Sequence, residues 1–154
     1  MRLSEMLAQS RVAFVEGTGL AKPDAIAKVA HLLATGCDVP EDVLAKVLRE
    51  REELQSTGIG DGVAIPHASI ADLTKPVAAL LLVRDGLEFG AIDRAKVHHV
   101  FAVVGPKREA GEHLRTLARI SKLLRNAELR AKLLSAEGPA AALDLVASEE
   151  EARP

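Results

Sequence analysis

The chain has 154 residues, with 20 Lys and Arg against 22 Asp and Glu and a formal net charge of -2. That length suits one domain, and the near balance of charge excludes nucleic acid as a bulk partner, since a phosphate backbone needs clustered cations. Hydrophobic residues make up 48% but aromatic ones only 2%, so the core has to be aliphatic.

In chain order, Met1–Met6 lacks the long apolar run of a signal peptide. Arg11–Val15 is a short β-rich run closed by Gly17 and Gly19, and is expected to form a strand. Pro23 and Asp24 open a helix whose Ile26, Val29, Ala30 and Leu33 share one face, with Gly36 as its stop. A second helix runs from about Pro40 to Glu53 and turns Val43, Leu44, Val47 and Leu48 inward. From Gln55 to His67 the pattern changes, with Gly58, Gly60 and Gly62 at alternate positions and Ile65-Pro66-His67 at the end. This predicts a loop leading into a short strand. Pro76–Val83 and Val97–Val104 have the composition and length of buried strands, the first closed by Asp85-Gly86. From Glu112 a helical stripe returns: His113, Leu114, Leu117, Ile120, Leu123 and Leu124. Asn126–Leu134 and Pro139–Val146 give two shorter helices, and the acidic residues 148–154 are expected to be a disordered tail. The fold class expected is α/β: a single domain over residues 3–147 with a small mixed sheet flanked by helices.

The longest apolar run, Val77–Val83, is far shorter than the ~20 residues that span a bilayer. No stable membrane insertion is expected, and the chain is expected to be soluble and cytoplasmic. Cys37 has no second cysteine to pair with. His98 and His99 are neighbours on an expected strand, so their side chains point to opposite faces and do not make a metal pair. No metal and no cofactor is expected.

The segment with chemical content is Arg51 to His67. Glycines let backbone N–H groups approach an anion, Ser56 and Thr57 add hydroxyl donors, and Arg51 offers a planar fork suited to phosphate oxygens. Neutral imidazole is a good nucleophile near physiological pH. On these grounds alone the segment is a candidate anion site with a histidine. Plain alternatives stand beside that: a glycine loop, a structural His67, and an Arg51 that serves its helix end.

The run Ser56-Thr57-Gly58-Ile59-Gly60-Asp61-Gly62-Val63-Ala64-Ile65-Pro66-His67, with Arg51 before it, resembles the phosphorylation-site motif of one class of enzyme IIA domains. These belong to the phosphoenolpyruvate-dependent phosphotransferase system, in its fructose, mannitol and nitrogen-regulatory class. Glu112-His113-Leu114 followed by a Leu-rich face resembles the second hallmark of that class. The resemblance covers roughly Leu3 to Val146 and is closest to the nitrogen-regulatory type. It implies that His67 receives a phosphoryl group from the histidine phosphocarrier protein. It further implies that His113 lies beside His67, and that Arg51, Ser56, Thr57 and Gly60 contact the phosphoryl group. The onward partner is then a regulated target protein or, in a sugar-transport branch, an enzyme IIB domain.

Overall fold

The two aliphatic runs pair with each other and form the middle of the sheet. In the computed structural model, which describes residues 1–152, they become β5 (Val77–Leu87) and β6 (Val97–Pro106), antiparallel to one another. Alternate side chains of β5 enter opposite cores: Val77, Ala79, Leu81 and Val83 on one face, Ala78, Leu80 and Leu82 on the other. Burial on both faces is why this strand reads as an unbroken apolar run rather than as an alternation. Asp85-Gly86 does not end it. The register shifts between Leu82 and Leu87, and the strand carries on. Gly86 sits at a φ of +77° under the His98 ring, where an added Cβ would lie 2.9 Å from a ring carbon. The glycine therefore serves a bulge and not a turn.

On the outer edge of β5 lies β1 (Val12–Val15), parallel to it. Along the outer edge of β6 two short strands follow one another, both parallel to it. β3 (Val63–Ala64) faces His99 and Val100, and β4 (His67–Ile70) faces Val103 to Pro106. β2 (Gly58–Gly60) pairs antiparallel with β3. The glycine segment, expected to be a loop, is thus an irregular hairpin whose turn takes Gly60, Asp61 and Gly62 through φ values of 99°, 57° and 78°.

α2 (Lys22–Ala34) and α3 (Glu41–Leu54) cover one face of the sheet. The other face carries α1 (Leu3–Met6), α4 (Ala110–Leu124), α5 (Ala127–Ser135) and α6 (Pro139–Ala152). Asn126 caps α5 by accepting from the Glu128 and Leu129 amides. The mixed α/β architecture expected of the sequence is the one observed.

Two expectations on this face need correction. Leu114 does not belong to the buried stripe of α4, which consists of His113, Thr116, Ile120, Leu123 and Leu124; Leu114 is 67% exposed. Nor are residues 148–152 disordered, because α6 continues through Ala152; Arg153 and Pro154 lie outside the described residues. The acidic end of α6 has partners that are remote in sequence. Glu150 accepts from the amides of Leu3 at 2.7 Å and Ser4 at 2.8 Å, and Glu149 accepts from Asn126 at 2.9 Å. A carboxylate on the free amides that open α1 is a stabilising helix cap. Glu150→Ala should cost about 1 kcal/mol, a fall in melting temperature of roughly 2–4 °C for a domain of this size. An unchanged thermal melt would mean that this end of α6 contributes nothing to stability.

Candidate functional site

His67 owes its position to the break between β3 and β4. At that break stand Ile65 and Pro66, and proline has no N–H to forfeit. The Pro66 carbonyl accepts from Val103 at 3.0 Å, so the chain stays attached to β6 across the gap. His67 then opens β4 with a half-buried ring whose Nδ1 lies 2.7 Å from the Ile65 carbonyl oxygen. A carbonyl can only accept, so Nδ1 carries the proton and Nε2 keeps its lone pair.

The second ring comes from α4, on the face of the sheet opposite α2 and α3. His113 lies in the first turn of α4, and its ring centroid is 5.9 Å from that of His67, with the planes inclined by 52°. The residue is buried, and neither ring nitrogen has a hydrogen-bond partner among the described residues. Gly105 on β6 makes the space for it: a Cβ at that position would stand 2.6 Å from the His113 Nδ1. The N-terminal end of α4, with its partial positive charge, opens at the same place.

The remaining residues expected at the site have mixed roles. Arg51 donates through Nη1 to the Gln55 carbonyl at 2.8 Å, which finishes α3. Its other guanidinium hydrogens have no protein partner among the described residues. Its positive charge also lowers the pKa of His67. Ser56 donates to the Phe89 carbonyl at 3.4 Å and accepts from the Gly58 amide at 3.1 Å, so it braces the glycine hairpin. Thr57 is buried, and its hydroxyl donates to Glu52 at 2.5 Å. The expectation that Ser56 and Thr57 offer free hydroxyl donors to an anion therefore does not match the structure: both serve the loop. Gly60 lies in β2 with a left-handed backbone, beside the Asp93 carboxylate.

Glu52 is a residue that sequence reasoning missed. It is a buried carboxylate that accepts from both the amide and the hydroxyl of Thr57, and it pairs with Lys22 Nζ at 2.5 Å. Lys22 in turn stacks over the Phe89 ring, 4.7 Å from its centroid. The available signal was a Glu one residue beyond Arg51 on an otherwise polar helix end, and it does not reveal that the side chain folds inward.

Burial pushes the pKa of His67 down. The Ile65 hydrogen bond and the Glu52 charge oppose this, while Arg51 adds to it. His113 is lowered by burial and by the His67 charge. His99 is lowered mainly by burial, and its ring bonds the Arg130 carbonyl at 2.9 Å, a structural role. His98 bonds the Val83 carbonyl at 3.1 Å, and His31 pairs with Glu41 at the surface. A histidine depressed in the folded state favours folding while it is neutral. That contribution is complete above the unfolded pKa of about 6.5 and is lost as pH falls through the lower folded values. The melting temperature should therefore be level above about pH 7 and decline over the acid interval below about pH 6.5. A level or rising melting temperature across that interval would contradict the assignment of buried neutral rings.

With this geometry in place, comparison with known proteins is specific. Residues 6–149 match the family model "Phosphoenolpyruvate-dependent sugar phosphotransferase system, EIIA 2". The chain is 33% identical over 139 residues to the nitrogen regulatory protein of Pseudomonas aeruginosa, covering 88% of each. It is 37% identical over 101 residues to the fructose-specific EIIABC component of Bacillus subtilis, a match that takes in 66% of this chain but only 16% of that protein. Among solved structures, the nitrogen regulatory protein IIA-Ntr of Neisseria meningitidis superimposes with a TM-score of 0.86 at 26% identity, covering 94% of this chain and 98% of that one. The chain belongs to the EIIA type 2 family of the phosphoenolpyruvate-dependent phosphotransferase system.

Proposed function

We propose that the protein is a phosphocarrier that accepts a phosphoryl group on Nε2 of His67 from the histidine phosphocarrier protein. In this reading it acts in the cytoplasm, where its phosphorylation state is a regulatory signal of the nitrogen type. The observation that carries this is the pairing of a His67 Nε2 and a His113 ring that have no hydrogen-bond partner among the described residues, 5.9 Å apart centroid to centroid. That gap suits one phosphoryl group. The regulatory branch draws on the relatives named nitrogen regulatory protein, which match over nearly their whole length.

In the transfer, the Nε2 lone pair attacks phosphorus in line, forming a P–N bond as the P–N bond to the donor imidazole breaks. Nδ1 keeps its proton, hydrogen-bonded to the Ile65 carbonyl, so the ring becomes a cationic imidazolium as Nε2 bonds to phosphorus. The donor imidazole, protonated on its other nitrogen, leaves neutral with no base needed. A neutral His113 can donate one N–H to a phosphoryl oxygen. The free guanidinium hydrogens of Arg51 and the α4 amides offset the remaining charge. Among the exposed large apolar side chains, Leu54 ends α3 three residues after Arg51, Ile59 lies in β2 and Leu114 follows His113; they are 83%, 41% and 67% exposed. They supply apolar contact for a transient partner. No helix among the described residues is long and apolar enough to cross a membrane. The second reading, a fructose-type IIA passing phosphate to an enzyme IIB domain, is favoured by the Bacillus subtilis relative.

Incubation with labelled phosphoenolpyruvate, enzyme I and the histidine phosphocarrier protein tests the proposal. Label should enter the parent protein and be absent from His67→Ala. It should be lost in mild acid and kept in alkali, as a phosphoramidate is. Acid-stable, alkali-labile label on Ser56 or Thr57 would refute the His67 assignment. Passage of the label to a fructose IIB domain would select the sugar-transport branch. Arg51→Lys keeps the charge but loses the fork. It should slow transfer by about tenfold, the equivalent of one charge-assisted hydrogen bond, with little change in thermal stability. Normal transfer with a large stability loss would leave Arg51 only its helix-end role.

A further inference from the structure

Glu52 stands at the start of an unbroken series of hydrogen bonds that ends on the His67 ring. Lys22 Nζ lies 2.5 Å from Glu52 Oε2, and the Thr57 amide donates to both Glu52 oxygens at 3.1 Å. The Thr57 carbonyl accepts from the Ile65 amide at 3.0 Å, and the Ile65 carbonyl accepts from His67 Nδ1 at 2.7 Å. Four residues from α2, α3, the glycine hairpin and the β3–β4 break are thereby tied in sequence. We propose that Glu52, seated by Lys22, is a positioning residue that fixes the tautomer and orientation of the His67 ring through Thr57 and Ile65. The proposal rests on His67 being the phosphoryl acceptor.

The reasoning is one of cost and constraint. A buried carboxylate loses its hydration and persists only where charge and hydrogen bonds replace it. Here the replacement is complete: one ammonium, one amide and one hydroxyl, all from elements bordering the site. Gly58 and Gly60, the two ends of β2, impose little conformation of their own, so Glu52 is the side chain that anchors the Thr57 amide and hydroxyl ahead of the hairpin. Thr57 is the residue whose carbonyl holds the Ile65 amide, and Ile65 is the residue that selects the Nδ1–H form of His67. The part played by an aspartate beside a catalytic histidine is here distributed over two backbone links, with the carboxylate kept out of contact with the incoming phosphoryl group. The ring needs that help, since either nitrogen of a neutral imidazole can hold the proton. A ring protonated on Nε2 has its lone pair bonded to hydrogen and cannot attack.

The test uses Glu52→Gln, Thr57→Val and Thr57→Ser in the full chain, with folding checked by circular dichroism and thermal melting. Nitrogen-15 NMR of labelled imidazoles at about pH 8 reads the His67 tautomer directly. The parent should show a protonated Nδ1 and a bare Nε2. Glu52→Gln and Thr57→Val should show a mixture, and Thr57→Ser, which keeps the hydroxyl, should match the parent. In transfer from the phosphorylated donor, the first two variants should lose about tenfold in kcat with the donor KM unchanged, because the docking rim is untouched. A folded Glu52→Gln protein with the parent tautomer and parent kcat overturns the proposal. If Glu52→Gln does not fold, the Thr57 pair decides in the same way. If the parent takes up no label, the phosphocarrier reading fails on its own, and the tautomer comparison still decides whether Glu52 positions the ring.

Discussion

The site depends on β6. Its one edge is held by β5 through most of its length, and its other edge accepts β3 and β4 in line, with Ile65-Pro66 between them. That interruption puts His67 opposite Val103, at the point where the chain regains regular pairing. Two residues further along β6, Gly105 leaves the space into which His113 descends from α4. One strand thus sets the separation of two rings that lie 46 positions apart in sequence (113 − 67). Strand pairing is stiff, and a side chain at position 105 would need His113 to move. The distance between the rings is therefore a property of the sheet and not of any contact between them.

Electrostatics at the site is a contest between burial and a few fixed charges. Burial acts on both rings in the same direction and favours their neutral forms, and a charge on His67 disfavours one on His113. Glu52 pulls His67 toward protonation and Arg51 pushes it away. Two opposite charges on adjacent residues of one helix end thereby oppose one another at the ring. The arrangement suits an acceptor whose resting state is neutral and whose loaded state is anionic. In the proposed function, Arg51 and the opening of α4 compensate the loaded state.

Much of this was legible in the sequence, for identifiable reasons. β5 and β6 are doubly buried, so their aliphatic runs announce them, and α2 and α3 carry apolar residues at clean helical spacing. The adjacency of His67 and His113 was legible because the glycine–Pro-His run and the His-Leu helix opening resemble two hallmarks of one family, and the structure sets the two rings 5.9 Å apart. What was lost is whatever depends on remote partners. The acidic end of α6 reads as a solvated tail until Glu150 meets the amides of Leu3 and Ser4, some 146 positions away. Leu114 looks like a member of a leucine stripe, and only the sheet's position reveals that the first turn of α4 faces inward through His113 instead. Gly86 marks a bulge under His98, which no local rule distinguishes from a turn. Thr57 carries a hydroxyl in a glycine-rich anion loop, and local pattern cannot show that a carboxylate five residues earlier already holds it.

A neutral, preorganised acceptor also explains how so small a change can be read by another protein in the proposed function. A phosphoryl group on His67 adds close to two negative charges at a site whose proposed docking rim is the exposed Leu54, Ile59 and Leu114. An apolar rim around a neutral centre favours a partner that buries it without an ion to match. The same rim around a dianion requires a partner that brings a cation or a helix N-terminus, or else imposes a large desolvation cost. Discrimination between the two states then needs no movement of the backbone. The hydrogen bonds running from Glu52 to His67 hold the glycine hairpin in place, so the charge itself is the difference a partner meets. Specificity of this kind arises from repulsion as much as from attraction, and it fits a domain that exchanges one group with several proteins through a single face.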